Sequence, residues 1–478
     1  MKFLQYASGF LLFLIVWWGG SLLVGQAVLP APGAVFAYVL SEGILPVFAR
    51  ELAITLRRGF SGFLLALLVA MPTGVLMGRR RSRERLGFFP LLMLQSAPPL
   101  FWITPLVLWL GTRGPVPVAV AFLVTLPLLT LHTMMAIRHI PAWEYDVFAV
   151  YAPRRRVVAG ELYLPHLLPA LKSNVHLGTL VAIKAAMLAE WFAAQSGFGR
   201  VVRIHYQTFA MLEFVGWSFL FLLVVGGLSF GLESLLKRIM PMYRVTSVSR
   251  SSSPSGSLSA PAVTQGNGIP DAVQGGEANL VVKGLSFGYG RTPLFQDVSL
   301  HVSGSQPVVL SGESGCGKTT LLKTISGLLQ PWTGTVNASG GVGLVFQDDA
   351  LLAHRDALGN VLLPAMPTIT EDDITRARTA LALWGLGHRE DAFPHELSGG
   401  MRKRLAMARA WFLAPRVLLL DEPFVNLDRE ARAALWELFF LRLSEAGKTA
   451  LIVTHYREEL ERFPVTFVAW EQLSGSAD

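Results

Sequence analysis

PVVLSGESGCGKTT, residues 307–320, decides how the second half of this chain folds. An apolar strand runs into a glycine-rich loop, and a helix follows. Gly312, Gly317, Lys318 and Thr319 keep the spacing G-x-x-x-x-G-K-[ST]. Glycines permit a tight loop whose N–H groups wrap phosphates, and Ser314, Gly315 and Thr320 complete that wall. Lys318 reaches the β- and γ-phosphates, and Thr319 offers its hydroxyl to Mg2+. Short apolar strands recur in PVVLS, VGLVFQ, RVLLLDE and ALIVTH and alternate with helical stretches. That alternation predicts a parallel α/β sheet over residues 279–478, with ATP and Mg2+ as its ligands.

Working outward from the loop, RVLLLDEP at 416–423 reads as a buried strand ending in two acids. Ligands of parallel sheets gather at the carboxyl ends of the strands. Asp421 is placed to hold Mg2+, and Glu422 to polarise a water for attack on the γ-phosphate. His455 ends another strand, in LIVTHY, where it is placed to sense the γ-phosphate and joins Glu422 and Lys318 as a catalytic candidate. LSGGMRKRLAMARA at 397–410 puts Ser398, Gly399 and Gly400 at the mouth of a basic helix. Free N–H groups and the helix dipole there favour an anion.

The first half is of another kind. Hydrophobic residues make up 52% of the whole chain and charged ones 15%, with a mean hydropathy of +0.46. An ordinary soluble protein carries charge on about a quarter of its residues. Apolar runs at 3–25, 59–78, 88–111, 115–137, 168–193 and 211–236 are mostly of bilayer length, so about six spans are expected. The first is expected to stay as a helix, because LPAPG after it is no cleavage signal. Lys2, the Arg79–Arg85 cluster, Arg138, Arg154, Arg155, Arg156, Lys172, Lys237 and Arg238 then share one side, which the positive-inside rule makes the cytoplasm. A net charge of +8 therefore belongs to membrane loops and not to a nucleic-acid surface. The single cysteine, Cys316, excludes an internal disulfide framework.

Residues 244–278 are rich in Ser, Gly, Pro and Ala without apolar period, as in a flexible linker. The expected plan is a helical membrane domain over 1–243, the linker over 244–278, and the nucleotide-binding domain over 279–478.

Tyr289 in LSFGYG, the phosphate loop, Gln347 in VFQDD, LSGG, Asp421–Glu422, Asp428 and His455 follow one another in the order of a known family. Residues 279–465 resemble the ATP-binding subunit of ABC transporters. The resemblance implies that Tyr289 stacks on adenine and that Gln347 contacts Mg2+ and signals to the membrane part. It implies that Asp428 lies at a dimer seam, and that Ser398, Gly399 and Gly400 act in trans on ATP held by a second copy. Met401 stands where the family usually has Gln. Backbone N–H groups and the Ser hydroxyl make the phosphate contacts there, so Met is tolerated. With DEPFVNLD and FPHELSGG it is similar to the ATPases of nitrate, sulfonate and taurine importers.

The loop IPAWEYDVFAVYAPRRRVVAGELYLPHLLPAL, residues 140–171, keeps the spacing of the docking motif of ABC importer permeases. In that register Asp146, Ala152, Leu162, Leu164 and Pro165 hold the motif positions, with Asp for Glu and Ala for Gly. LPAPGAV, SAPPLFWITPLVLWLG and MLAEWFAAQSGFGRVV are similar to nitrate/sulfonate/taurine-type permeases, whose relatives also serve a thiamine-precursor pyrimidine. The resemblance implies a half-importer of the bacterial inner membrane, working as a homodimer with a periplasmic solute-binding protein. The membrane-then-ATPase order is also an exporter layout, and a non-transport ATPase is a further alternative. Short loops weigh against the first, and intramembrane polar groups against the second. Lys184 lies inside the fifth span, where ionisable groups are costly and often functional. It is six residues from Glu190, on another helix face, and either faces the solute path or pairs with a carboxylate or carbonyl of a neighbouring helix. His132 and His176 are expected to be structural.

Overall fold

A computed structural model describes residues 2–112, 115–152, 154–239, 279–304 and 306–473, with no side-chain description for 2–7 and 10. The linker expected over 244–278 lies outside the described residues. The chain divides into two compact units. One comprises the helices up to Ile140 and from Tyr163 to Ile239. The other comprises Pro141–Leu162 and the elements from Asn279 onward.

In the helical unit, α1 (Lys2–Val24) is followed by the short α2 (Pro32–Val39) and the long α3 (Ile44–Gly78). Next come α4 (Arg81–Ser96), α5 (Pro99–Leu110) and α6 (Val116–Arg138), and later α9 (Leu164–Ala193), α10 (Phe198–Gln207) and α11 (Met211–Ile239). Among the described residues, four helices are long and apolar enough to cross a bilayer: α3, α6, the run that ends with α9, and α11. A fifth follows if α4 and α5 are one broken span, and Leu11–Val24 is a shorter apolar stretch.

Two expectations about the spans are corrected. The run 88–111 is not one helix: α4 and α5 meet at an angle of 92°. Pro98 and Pro99 cause this, because proline lacks the N–H that would continue the ladder and drives its predecessor out of the helical region. The second span starts at Ile44 rather than 59, so Arg57 and Arg58 lie within a helix. Arg58 is tolerated there because it is paired. It donates to Glu190 Oε1 at 2.7 Å and to the Ser196 carbonyl at 2.8 Å.

Glu190 is fully buried and also accepts from the Thr55 hydroxyl at 2.6 Å and the Gly199 N–H at 3.2 Å. Glu51 accepts from the Gly197 N–H at 2.7 Å, so two carboxylates of α3 and α9 pin the turn into α10. His132 and His176 contact Asn174 and Ser229 at 3.1 and 3.0 Å, as structural histidines do.

Bilayer helices gain little from hydrophobicity against one another and depend on close backbone approach. On α3, Gly62, Ala66, Ala70, Gly74 and Gly78 recur every four residues and form one ridge. A Cβ on Gly62 would stand 2.6 Å from the Ala121 Cβ and 2.7 Å from the Val118 carbonyl. At Gly74 it would meet Thr133 Cβ at 2.6 Å, and at Gly78 the Met134 carbonyl at 2.8 Å. The ridge therefore seats α6 directly on α3.

In the second unit a short helical segment, expected to dock, precedes the sheets: α7 (Ala142–Tyr151), the single turn α8 (Arg155–Val157) and most of the π-helical turn Val158–Tyr163. Three strands, β1 (Asn279–Tyr289), β2 (Thr292–Ser303) and β4 (Thr333–Ala338), form an antiparallel sheet in the order β2-β1-β4. The main sheet comprises β3 (Val308–Ser311), β5 (Val342–Val345), β6 (Val417–Asp421), β7 (Thr449–Val453) and β8 (Thr466–Ala469). It is parallel throughout, ordered β5-β6-β7-β3-β8. Every residue of β6 and β7 is buried, as expected of a sheet covered on both faces. Helix α12 (Lys318–Ile325) follows the phosphate loop, and α13 (Ala357–Val361), α14 (Glu371–Leu383) and α15 (Gly399–Phe412) form a helical subdomain around buried Trp384. Helix α16 (Arg429–Glu445) covers the sheet, and α17 (Trp470–Leu473) ends the described chain.

Gly62→Val should separate α3 from α6 and destabilise the helical unit by about 1–3 kcal/mol, as overpacking does. Gly9→Val, where a Cβ meets nothing within 4 Å, should leave stability unchanged. Thermal unfolding of the full chain in detergent measures both, and equal melting of the two variants would refute the ridge.

Candidate functional site

Register brings the chemistry to one edge. Leu310 of β3 pairs with Val453 of β7, and Val453 pairs with Asp421 of β6, so the three strands end level. The loop after β3, Glu422 after β6 and His455 after β7 must then share one rim. They line one cavity of about 380 Å3 with walls from Tyr289, Ser314, Gly315, Gly317, Lys318, Thr319, Thr320, Gln347, Glu422 and His455. Asp421 ends β6 behind Thr319 and does not line the cavity.

Gly315 and Gly317 adopt φ of +87° and +110°, where a side chain would be strained. At Gly312 a Cβ would stand 2.7 Å from the Trp470 Cβ, so β8 and α17 require a glycine there. Lys318 starts α12 and is buried, and its ammonium donates to the carbonyls of Gly312 and Glu313 at 2.8 and 2.6 Å. The Thr319 hydroxyl donates to Asp421 at 3.0 Å. Burial pushes the Asp421 carboxyl above its ordinary range; the Thr319 bond opposes this, and the neighbouring Glu422 charge adds to it.

Glu422 has φ of +44°, a strained conformation for a side-chain-bearing residue. Its N–H donates to the Val453 carbonyl at 2.8 Å and holds it there. The result aims its carboxylate at the cavity, 2.8 Å from His455 Nε2 and 3.5 Å from the Gln347 amide nitrogen.

The donors fit a magnesium nucleotide. Asp421, Thr319 and Gln347 present hard oxygens, which suit Mg2+, and Mg2+ takes few protein ligands and completes its shell with phosphate and water. Among the described residues no group of three His, Cys, Asp or Glu side chains is placed to hold a metal by itself.

Ser398, Gly399, Gly400 and Asp428 do not line this cavity. Ser398 caps α15, its Oγ accepting the Met401 N–H at 3.3 Å, while the Met401 side chain packs on the hydrophobic core. Asp428 caps α16, accepting the Ala431 N–H at 2.8 Å. Tyr289 is 64% exposed at the wall of the cavity.

The expected docking residues part company. Asp146 and Ala152 belong with the nucleotide-binding unit, whereas Leu164 and Pro165 begin α9 of the helical unit. Asp146 pairs with Lys323 of α12 at 2.7 Å. Two residues that the motif register passes over do more. The buried Tyr151 hydroxyl donates to the Leu344 carbonyl of β5, and the Arg409 guanidinium of α15 lies 4.6 Å over its ring. Glu161 accepts from Arg355 Nε at 2.8 Å and contacts His354 at 3.2 Å. Burial alone would push the Glu161 carboxyl up, but the bonds from His354 and Arg355 outweigh it and hold it down at about 2.

Arg402 and Lys403 of α15 also reach Asp349 at 2.9 and 3.1 Å, and Lys403 donates to the Gln347 carbonyl at 2.8 Å. Thus α15 grips the loop that carries Gln347. The only trace of this in the sequence is the basic run RKR after the LSGGM segment.

Two family models match the chain. Residues 62–244 match the binding-protein-dependent transport system inner membrane component, and residues 295–425 match the ABC transporter family. An aliphatic sulfonates import ATP-binding protein of Rhodococcus jostii is 42% identical over 182 residues, covering 37% of this chain and 72% of that protein. A taurine import ATP-binding protein of Yersinia pestis is 41% identical over 190 residues, 38% of this chain and 74% of that one. A nitrate import ATP-binding protein of Synechococcus elongatus is 39% identical over 184 residues, 36% of this chain and 28% of its longer relative. With the nucleotide site after β3 and the apolar helices before it, the chain belongs to the ABC transporters, as an inner-membrane permease region joined to an ABC ATPase.

Proposed function

We propose that the chain is an ATP-driven half-importer of the bacterial inner membrane. Residues 1–243 form the permease, 244–278 the linker, and 279–478 the ATPase on the cytoplasmic side. Two copies pair, and a periplasmic solute-binding protein delivers a small solute of the sulfonate, taurine or nitrate kind, or a thiamine-precursor pyrimidine. One observation carries the reading: the docking segment 141–162 contacts the three parts of the ATPase that sense nucleotide. Asp146 touches the helix of the phosphate loop, Tyr151 touches β5 ahead of Gln347, and Arg409 over Tyr151 belongs to the helix of the LSGG segment.

Each group then has a task. Lys318 and the loop N–H groups bind the β- and γ-phosphates. Tyr289 covers the base. Thr319, Asp421 and Gln347 hold Mg2+, which neutralises phosphate charge when bound. Glu422 accepts a proton from the attacking water, and His455 orients its carboxylate. Ser398, Gly399 and Gly400 are absent from the walls of their own chain's cavity, which supports their closing on the partner's ATP. ATP must bind the closed pair better than the open one for closure to drive the docking segment.

Glu422→Gln should bind ATP normally and lose hydrolysis by about 10²–10⁴-fold, the usual worth of a positioned base. In membrane discs with ATP and Mg2+, the same variant should retain a solute-binding protein from periplasmic extract. Wild-type turnover would remove Glu422 as the base. A closed, ATP-bound pair that retains no binding protein would shift the reading to an exporter.

Glu161→Gln should keep basal ATP hydrolysis and lose transport coupled to it, because the docking contact fails while the nucleotide site is untouched. The sign of the pKa shift adds a pH window. A carboxyl lowered to about 2 from its ordinary 4.5 contributes stability above 4.5, lost as pH falls toward 2. Transport retained by the variant would sink this role.

Lys184 is exposed in α9, without a hydrogen-bond or ion-pair partner among the described residues, which supports a place on the solute path. Lys184→Met should reduce anion uptake severalfold while the basal ATPase stays normal. Uptake at the wild-type rate would place Lys184 outside the path.

A further inference from the structure

A second cavity, of about 430 Å3, lies in the helical unit where the start of α4 meets the end of α6. Its walls are Arg81, Glu84, Arg85, Phe88, Phe89 and Arg138. We propose that it binds the headgroup of an anionic glycerophospholipid from the cytoplasmic leaflet, with the phosphate between Arg81 and Arg85 and an acyl chain along Phe88 and Phe89.

The electrostatics call for an anion. Arg81 and Arg85 stand four apart on one helix, so their like charges repel along one face. Both also lie in the first turns of α4, where the helix dipole adds positive potential. Neither has a carboxylate partner among the described residues, because the nearby Glu84 pairs with Arg138. Three guanidinium groups against one carboxylate leave the cavity with a surplus of positive charge. A phosphate bridging Arg81 and Arg85 removes the repulsion, and guanidinium matches its geometry.

The apolar side of the cavity selects a lipid over a free ion. Along RSRERLGFFPLLML the helix turns from charged to apolar within two turns, as at a membrane boundary. No residue of α4 is buried, and Phe88 and Phe89 are 44% and 63% exposed. A headgroup at the arginines puts its glycerol and first methylenes against those two rings. Basic pockets beside helices on the cytoplasmic side take such headgroups. The pocket is separate from the nucleotide site and from Lys184, and the proposal does not depend on the direction of transport.

The test is native mass spectrometry of the purified full chain in detergent with equal amounts of phosphatidylglycerol and phosphatidylcholine. The wild type should retain phosphatidylglycerol selectively. Arg81→Gln with Arg85→Gln should weaken its retention about 30-fold, from the known contribution of two basic groups at an anionic surface, and leave phosphatidylcholine unchanged. Glu84→Gln adds a net positive charge to the cavity and should strengthen retention, an effect that a purely structural role for Glu84 would not produce. If the double variant fails to assemble, the gain in Glu84→Gln decides alone. Equal retention of both lipids by the wild type, or no change in either variant, overturns the proposal. So does saturation of the site by inorganic phosphate with no lipid selectivity, which would make the ligand a free anion.

Discussion

Arg409 is a fully charged side chain with 1% exposure, and the architecture around the nucleotide site is organised by what that burial requires. A buried guanidinium costs several kcal/mol unless it is met by acceptors and by a polarisable surface. Arg409 is met by the Ala350 carbonyl at 2.6 Å and by the Tyr151 ring. Arg409 and these two partners come from three separate parts of the chain: the helix after LSGG, the loop after β5, and the segment 141–162. Moving any one of them strips the charge of its compensation. The three are therefore bound to shift together, which is what a device that transmits nucleotide state has to do.

The same logic of compensated cost runs through the helical unit. Arg58, Glu51 and Glu190 would be prohibitive as isolated charges in α3 and α9. Joined to Thr55, Ser196 and the N–H groups of Gly197 and Gly199, they become a lock on the turn into α10. Elsewhere in that unit cohesion comes from the absence of side chains. The ridge from Gly62 to Gly78 lets backbones touch, and no hydrophobic gain between helices is needed.

The nucleotide site was largely legible because its chemistry is local. A loop that wraps phosphate needs its glycines, lysine and threonine within one turn of chain, so the pattern at 312–320 announces itself. The acids at 421–422 were legible because four apolar residues precede them. The docking contact was legible only as a spacing. The spacing singled out Asp146, which pairs with Lys323, but not Tyr151 and Glu161, whose contacts come from partners 193 and 194 residues away in sequence. The break of the third span was written in Pro98 and Pro99, but a window of hydropathy averages over it. Arg58 looked like the edge of a helix because its partner, Glu190, is 132 residues distant.

By itself, then, the sequence determined which halves are membrane-like and nucleotide-binding, and the strand-loop-helix around Lys318. These follow from periodicity, local turn chemistry and charge count, which act over a few residues. Only the tertiary structure decided that β3, β6 and β7 end level, that Glu422 meets His455, that Arg409 stacks on Tyr151, and that Arg81 and Arg85 share a cavity. Those outcomes depend on strand register and on which buried charges find partners, and both are set by contacts between segments far apart along the chain.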